Sequence, residues 1–446
     1  MQVRRQLLRL LPVALVAPLT LVGAATPATA SEPVTVIATT ALPLPSYADI
    51  VADAPSGRVF ISGGRGTTSI VVADLDGQIV GSVDNQQGAT ALALSADGGT
   101  LYATLGDADS VSAVNVTTLA ETGRYAIGTG TCPSDLALAG GRIWFSYGCG
   151  QEGRIGSLDL SGPAPVVALD QAGQWYYPPL LASASATNGV LAAGQTGTSP
   201  AEVKSYDVSS GTPVLRGSTR EAGSFLGDVA VEPDGTRVLV STYDSWYPLV
   251  FSAADMSQVG YYASHDRVSS IAVRPDGRFV TGSPTWVLDS FTAGNPGAQW
   301  TWYGGLSPDL ARRGLALAAN DRIYAVGSGG FPPVLRVLVH TPPGPQETFL
   351  SGGLQTWPAV VRQPLQVAGQ LSVADGSPSG VQTLHLTRQD ARGLVTLPDV
   401  QTDENGWYSF TDVPRVTGEH IYTVRFDGTD TLLPTQYTIS FPVARR

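Results

Sequence analysis

An apolar run, a glycine-containing turn and a second apolar run recur along most of this chain, and that recurrence restricts what it can fold into. The clearest copy is LGDVAVEPDGTRVLVST, from Leu226 to Thr242. Its relatives are TALALSADGGTLYAT from Thr90, SDLALAGGRIWFS from Ser134, SSIAVRPDGRFVTG from Ser269 and RGLALAANDRIYAV from Arg313. Each reads as a β-hairpin. In a turn such as Pro233-Asp234-Gly235 the proline fixes φ and the glycine tolerates positive φ, while the flanking apolar residues favour extended backbone. Turn markers at Gly57, Gly98, Gly141, Gly189, Gly235, Gly277 and Asn320 stand 41, 43, 48, 46, 42 and 43 residues apart. Units of this length have room for two further short strands each, which predicts seven four-stranded blades in a closed repeat ring.

The further strands are expected at Ser69–Asp74 and Gln78–Val83 in the first unit, Val111–Asn115 and Glu121–Ile127 in the second, and Gly153–Leu158 and Pro165–Leu169 in the third. The early run Val34–Leu44 is expected to supply the missing outer strand of the last blade, joining the ends of the ring and removing exposed strand edges. The fourth unit departs from the pattern, with alanine and serine around Ala182–Ala193, and the sixth lacks clear outer strands, so six or eight blades are the alternatives. With ALSADGGTLYAT and AVEPDGTRVLVST as the nearest matches, the units resemble the YVTN-type and WD-like β-propeller repeats of exported bacterial proteins. That resemblance spans about residues 34–350 and implies a fold rather than an activity.

Near residues 355–362 the text changes to alternating strand candidates separated by Asp375-Gly376, Asn405-Gly406 and Asp427-Gly428 turns, which predicts a small β-sandwich. The pattern at Thr402, Asp403, Asn405, Gly406, Tyr408 and Phe410 resembles exported prealbumin-like or immunoglobulin-like repeats. The expected class is therefore all-β: a signal peptide over residues 1–30, a seven-bladed β-propeller over 31–357 and a β-sandwich over 358–446.

The leader is read from basic Arg4, Arg5 and Arg9, the apolar stretch Leu10 to Ala24 and the small residues ATPATA before Ser31. It predicts a secreted, extracellular protein, with cell-envelope association as a further option and no stable transmembrane anchor. Either a twin-arginine or an ordinary secretory route fits it. In an oxidising compartment Cys132 and Cys149 are expected to pair. They would face each other across a hairpin turning at Gly140-Gly141 and staple its open end. A net charge of −11, with Lys204 as the sole lysine, argues against nucleic acid as a partner.

No Walker loop, no glycine fingerprint followed by a helix, no HExxH and no Gly-x-Ser-x-Gly elbow is present, and His265, His340, His385 and His420 are scattered along the sequence. No catalytic residue, cofactor or metal site is assigned. Oxygen ligands for calcium are on offer at Asp107, Asp109 and Thr402 to Asn405, although turn capping explains them as well. The PDG turns are expected on a plain rim, and the irregular links on the opposite, variable rim. The candidate ligand-binding residues lie in those links: Trp175, Tyr176 and Tyr177; Tyr243, Trp246 and Tyr247; and His265, Asp266 and Arg267. Aromatic side chains with polar handles suit a glycan or a protein or peptide partner, but the same residues could instead pack the channel or cover the rims. The reading is a non-catalytic binding or interaction scaffold. An extracellular lyase or hydrolase and a structural cell-envelope protein are the alternatives.

Overall fold

The computed structural model describes residues 34–185, 187–329, 332–340, 344–374 and 376–445; the leader reading lies outside them. Seven four-stranded antiparallel sheets form the propeller. The inner strand A of each successive blade is Asp49–Asp53, Ala89–Leu94, Pro133–Ala139, Leu180–Ser183, Leu226–Val231, Ser270–Val273 and Leu310–Leu317. Blade 7 is completed by Val34–Ala41, which pairs antiparallel with Val334–His340, so the first strand of the described chain closes the ring as expected. The sixth blade has its outer strands after all, at Val287–Thr292 and Asn295–Tyr303, and the latter carries Trp300 and Trp302.

The B strands read as continuous apolar runs because both faces of a blade are covered. In blade 1, Val59 and Ile61 pack with Tyr324 and Val326 of blade 7, while Phe60 between them faces Leu101 and Ala103 of blade 2. In blade 5, Val238 and Val240 face blade 4 and Leu239 faces blade 6. Every neighbouring pair of blades shares such a cluster, including blades 7 and 1, and that last cluster distinguishes a ring from an open array. At the Pro233-Asp234-Gly235 turn, Gly235 has φ +74°, a conformation open to glycine without strain.

Cys132 and Cys149 are joined, with their Cα atoms 5.1 Å apart. The hairpin runs in the expected register from Ala139↔Arg142 to Asp135↔Ser146, then shifts at a bulge so that Pro133 faces Tyr147. Blade 2 and blade 5 carry the same kind of shift near the start of strand A, between Ala89 and Ala91 and between Leu226 and Asp228. Such bulges re-aim the side chains that follow them.

The sandwich has a three-stranded sheet, Thr348–Leu354, Leu365–Val373 and Trp407–Asp412, and a four-stranded sheet, Gly393–Gln401, Thr383–Asp390, Gly418–Phe426 and Thr435–Val443. Thr348–Leu354 lies before the expected boundary at residue 358, yet its Leu350 faces Leu371 across a seven-residue ladder and joins the sandwich core. That boundary is corrected: the glycine pair in TFLSGGL disguises a strand that this sheet needs. In the TDENGWYSF turn the Asp403 carboxylate accepts from the N–H groups of Asn405 and Trp407 at 2.8 and 2.9 Å. Gly406 is required there, since a Cβ would lie 2.2 Å from the Leu371 carbonyl oxygen.

Candidate functional site

The inner strands carry an alternating device. Asp49, Asp135 and Asp228 lie at or near the start of strand A in blades 1, 3 and 5. Each carboxylate accepts from the N–H of its own next residue at 2.9 Å. Each also accepts from the strand A backbone of the following blade, at Leu92, Leu181 and Ile271, all at 2.8 Å. The Ser270 hydroxyl makes the corresponding link to Leu315 of blade 7 at 3.1 Å. Arg313, in the bulge of blade 7, then reaches Asp135 at 2.9 Å and Asp228 at 3.5 Å. Burial pushes Asp49 and Asp228 up to about 6 despite the nearby Arg313 charge. Burial also opposes the Arg313 charge, but Asp135, Asp49 and Asp228 outweigh it and hold the guanidinium above its ordinary value. Asp49, Asp228 and Arg313 line a channel cavity of about 630 Å³ walled otherwise by leucine, alanine, valine and isoleucine of the inner strands. Its lining extends to Ser95, Ser185 and Pro275 at the A–B turns, so the rim read as plain carries this cavity.

On the opposite rim, the irregular links of blades 5 and 6 enclose a cleft of about 320 Å³. The B–C loop of blade 5 contributes Tyr243 and Trp246, the link between the blades contributes Asp266 and Arg267, and the B–C loop of blade 6 contributes Thr285. Four of the sequence candidates thus meet in one place. Tyr243 and Trp246 are about half exposed, at 46% and 53%, and the Arg312 guanidinium lies 6.0 Å from the Tyr243 ring centre. The Arg267 guanidinium lies 5.5 Å from the Trp246 ring centre, close enough for cation–π attraction to bias the indole. Burial would raise the Asp266 carboxyl, but hydrogen bonds from Thr285, the Arg267 N–H and Ser283, with the Arg267 charge, hold it below its ordinary value. The cleft therefore presents two aromatic rings, each with a guanidinium nearby, beside a hydrogen-bonded Asp266 carboxylate.

The other candidates lie elsewhere. Trp175 is only 2% exposed, packed with Trp144 and Leu191 under the Lys204 ammonium, which sits 4.4 Å from its ring centre. Its place in a ligand-binding surface is corrected: the link before blade 4 bridges Trp175 back to Gly153 and drives the indole inward. Tyr176 stays exposed and accepts from Gln151 at 2.6 Å, with Tyr177 edge-on to it at 4.7 Å. Tyr247 packs against Tyr261 at 5.1 Å. His265 does not pair with Asp266. Its Nδ1 lies 2.8 Å from the buried carboxylate of Asp289, which also accepts from Ser264 and Thr301. Asp107 and Asp109 act as caps, accepting from the N–H of Gly66 and from those of Gly130 and Cys132.

No family model matches the chain, and neither does any curated protein. Among solved structures it is similar to a chain of Kuenenia stuttgartiensis hydrazine synthase, with TM-score 0.50 and 18% identity over 68% of this chain and 97% of that one. It is also similar to a chain of the mitotic checkpoint complex, with TM-score 0.54 and 16% identity over 74% of this chain and 98% of that one. At these identities the likeness concerns the fold alone.

Proposed function

We propose that this is an exported, non-catalytic recognition protein that holds an extracellular glycan or peptide in the cleft between blades 5 and 6. The carrying observation is that Tyr243, Trp246, Asp266 and Arg267, drawn from separate loops, line one concave site whose size suits a small ligand or a short polymer segment. Rigid aromatic faces beside a few fixed polar groups give orientation at low entropic cost. The basic leader and the joined cysteines support export. The quoted repeat motifs support kinship with YVTN-type or WD-like propellers, and the TDENGWYSF turn supports kinship with prealbumin-like or immunoglobulin-like sandwiches.

A hydrolase or lyase reading has one observation in its favour, the His265–Asp289 pair, in which a buried carboxylate orients an imidazole. Against it, the Ser264 hydroxyl donates to Asp289, and the Thr301 hydroxyl, although 3.0 Å from His265 Nδ1, also donates to Asp289, so both hydroxyls are engaged in holding the buried carboxylate. A glycan and peptide array separates the readings. Trp246→Ala and Tyr243→Ala should each weaken binding to the best ligand by about tenfold or more, while Tyr176→Ala leaves it unchanged. Unaltered binding by the folded variants, or turnover of the ligand that disappears in His265→Ala, would contradict the proposal.

A further inference from the structure

Three chain segments meet at one end of the sandwich. The turn before Leu365–Val373 is tied to the C-terminal strand by the Val361 N–H to Ala444 carbonyl bond of 3.0 Å and the Ala444 N–H to Ala359 carbonyl bond of 2.9 Å. The same turn is tied to the segment after Trp407–Asp412 by the Arg362 N–H, which donates to the Pro414 carbonyl at 2.8 Å. These backbone bonds bring Arg362, Arg415 and Arg445 around a recess of about 580 Å³, with Gln363 and Thr417 also in its lining. Among the described residues, no aspartate or glutamate lines it.

Two other arginines of this domain are paired with carboxylates, while Arg392, like the three at the recess, has no ion pair among the described residues; what sets the three apart is that they meet at one recess. Arg388 is held by Asp412 at 2.6 Å and Asp390 at 3.1 Å, and Arg425 by Asp427 at 2.8 Å. Among the described residues, none of the three recess guanidiniums has a carboxylate within ion-pair distance. In a chain with a net charge of −11, three arginines gathered at one recess without an ion-pair partner among the described residues make a local inversion of the protein's field.

We infer that this recess binds the oxyanion groups of an anionic saccharide, as a second site separate from the propeller cleft. Guanidinium is suited to sulfate, phosphate and carboxylate because its fork of N–H donors matches two oxygens at once. The recess is larger than one inorganic oxyanion fills, and Gln363 and Thr417 add neutral hydrogen-bonding groups suited to sugar hydroxyls. Overall negative charge disfavours a densely charged polymer, whereas a saccharide spaces its oxyanions along a neutral backbone and meets the arginines locally.

The test titrates the full chain by calorimetry with a sulfated, a uronate-containing and a neutral oligosaccharide of equal length, inorganic phosphate, poly-glutamate, and vesicles with and without phosphatidylglycerol. A charged oligosaccharide should bind more tightly than the neutral one and than phosphate. Arg415→Gln and Arg445→Gln should each weaken it by about tenfold, and higher salt should weaken it further. Arg58→Gln, on the propeller, is the control and should leave this binding intact. Equal binding by the recess variants overturns the inference, as does a failure of either charged oligosaccharide to exceed phosphate. Tighter binding of poly-glutamate or of the anionic vesicles would replace the saccharide with a peptide or a membrane. Trp246→Ala should not alter this binding, so the two sites stand or fall separately.

Discussion

Replacing Arg313 with methionine should cost about 3–5 kcal/mol near neutral pH, because it strips the counter-charge from a set of buried carboxylates while leaving their desolvation in place. Asp135 loses its partner at 2.9 Å and Asp228 its partner at 3.5 Å, and Asp49 loses the nearby positive charge that opposes its upward shift. The pH dependence has a definite sign. Asp49 and Asp228 titrate near 6 in the folded protein against an ordinary 3.8, so the folded state holds extra protons between those values. Their contribution to stability is full below about pH 4 and is lost as pH rises through about 6. Without Arg313 the carboxylates are driven further toward protonation. The deficit of the variant should therefore be smaller at about pH 5 than at about pH 8. Chemical denaturation of both proteins at the two pH values measures it. A deficit that is flat with pH, or below about 1 kcal/mol, would show that the hydrogen bonds from Leu92, Leu181 and Ile271 suffice without the guanidinium.

Removal of the closing strand should act on the ring as a whole. A chain beginning at Leu42 lacks Val34–Ala41 and exposes the edge of Val334–His340, whose seven paired positions run from His340 to Val334. At about 0.5–1 kcal/mol for each ladder bond lost, the cost is roughly 4–7 kcal/mol. The free edge also invites pairing with another copy. Calorimetric unfolding and sedimentation should show a lower, broader transition and concentration-dependent oligomers. A sharp monomeric transition at the full chain's temperature would mean that the cluster between blades 7 and 1 closes the ring unaided.

The architecture was legible because it rests on local chemistry repeated many times. PDG turns, apolar B strands and the orphan strand Val34–Leu44 all point to the same ring. The acidic device was also written in the sequence, as Ala48-Asp49-Ile50, Ser134-Asp135-Leu136 and Gly227-Asp228-Val229, one in every second unit. Turn spacing does not reveal that alternation, since it concerns what neighbouring inner strands do to each other. Sites built from separate loops were only half visible. Tyr243, Trp246, Asp266 and Arg267 stand out by residue type, but the partner of His265 is Asp289, inside a blade strand 24 residues on. The three recess arginines are unremarkable in sequence and meet only through the backbone bonds of the folded sandwich. Trp175 failed as a surface candidate for the complementary reason, since the link that carries it folds back on Gly153.

Hydrogen–deuterium exchange of the full chain, with and without the best ligand from the array, tests the recognition account most directly. Protection should fall on residues 243–247, 264–269 and 283–286, the three segments that build the cleft between blades 5 and 6. Protection confined to the A–B turns at the channel mouth, with those segments unchanged, would contradict the account and move recognition to the other rim.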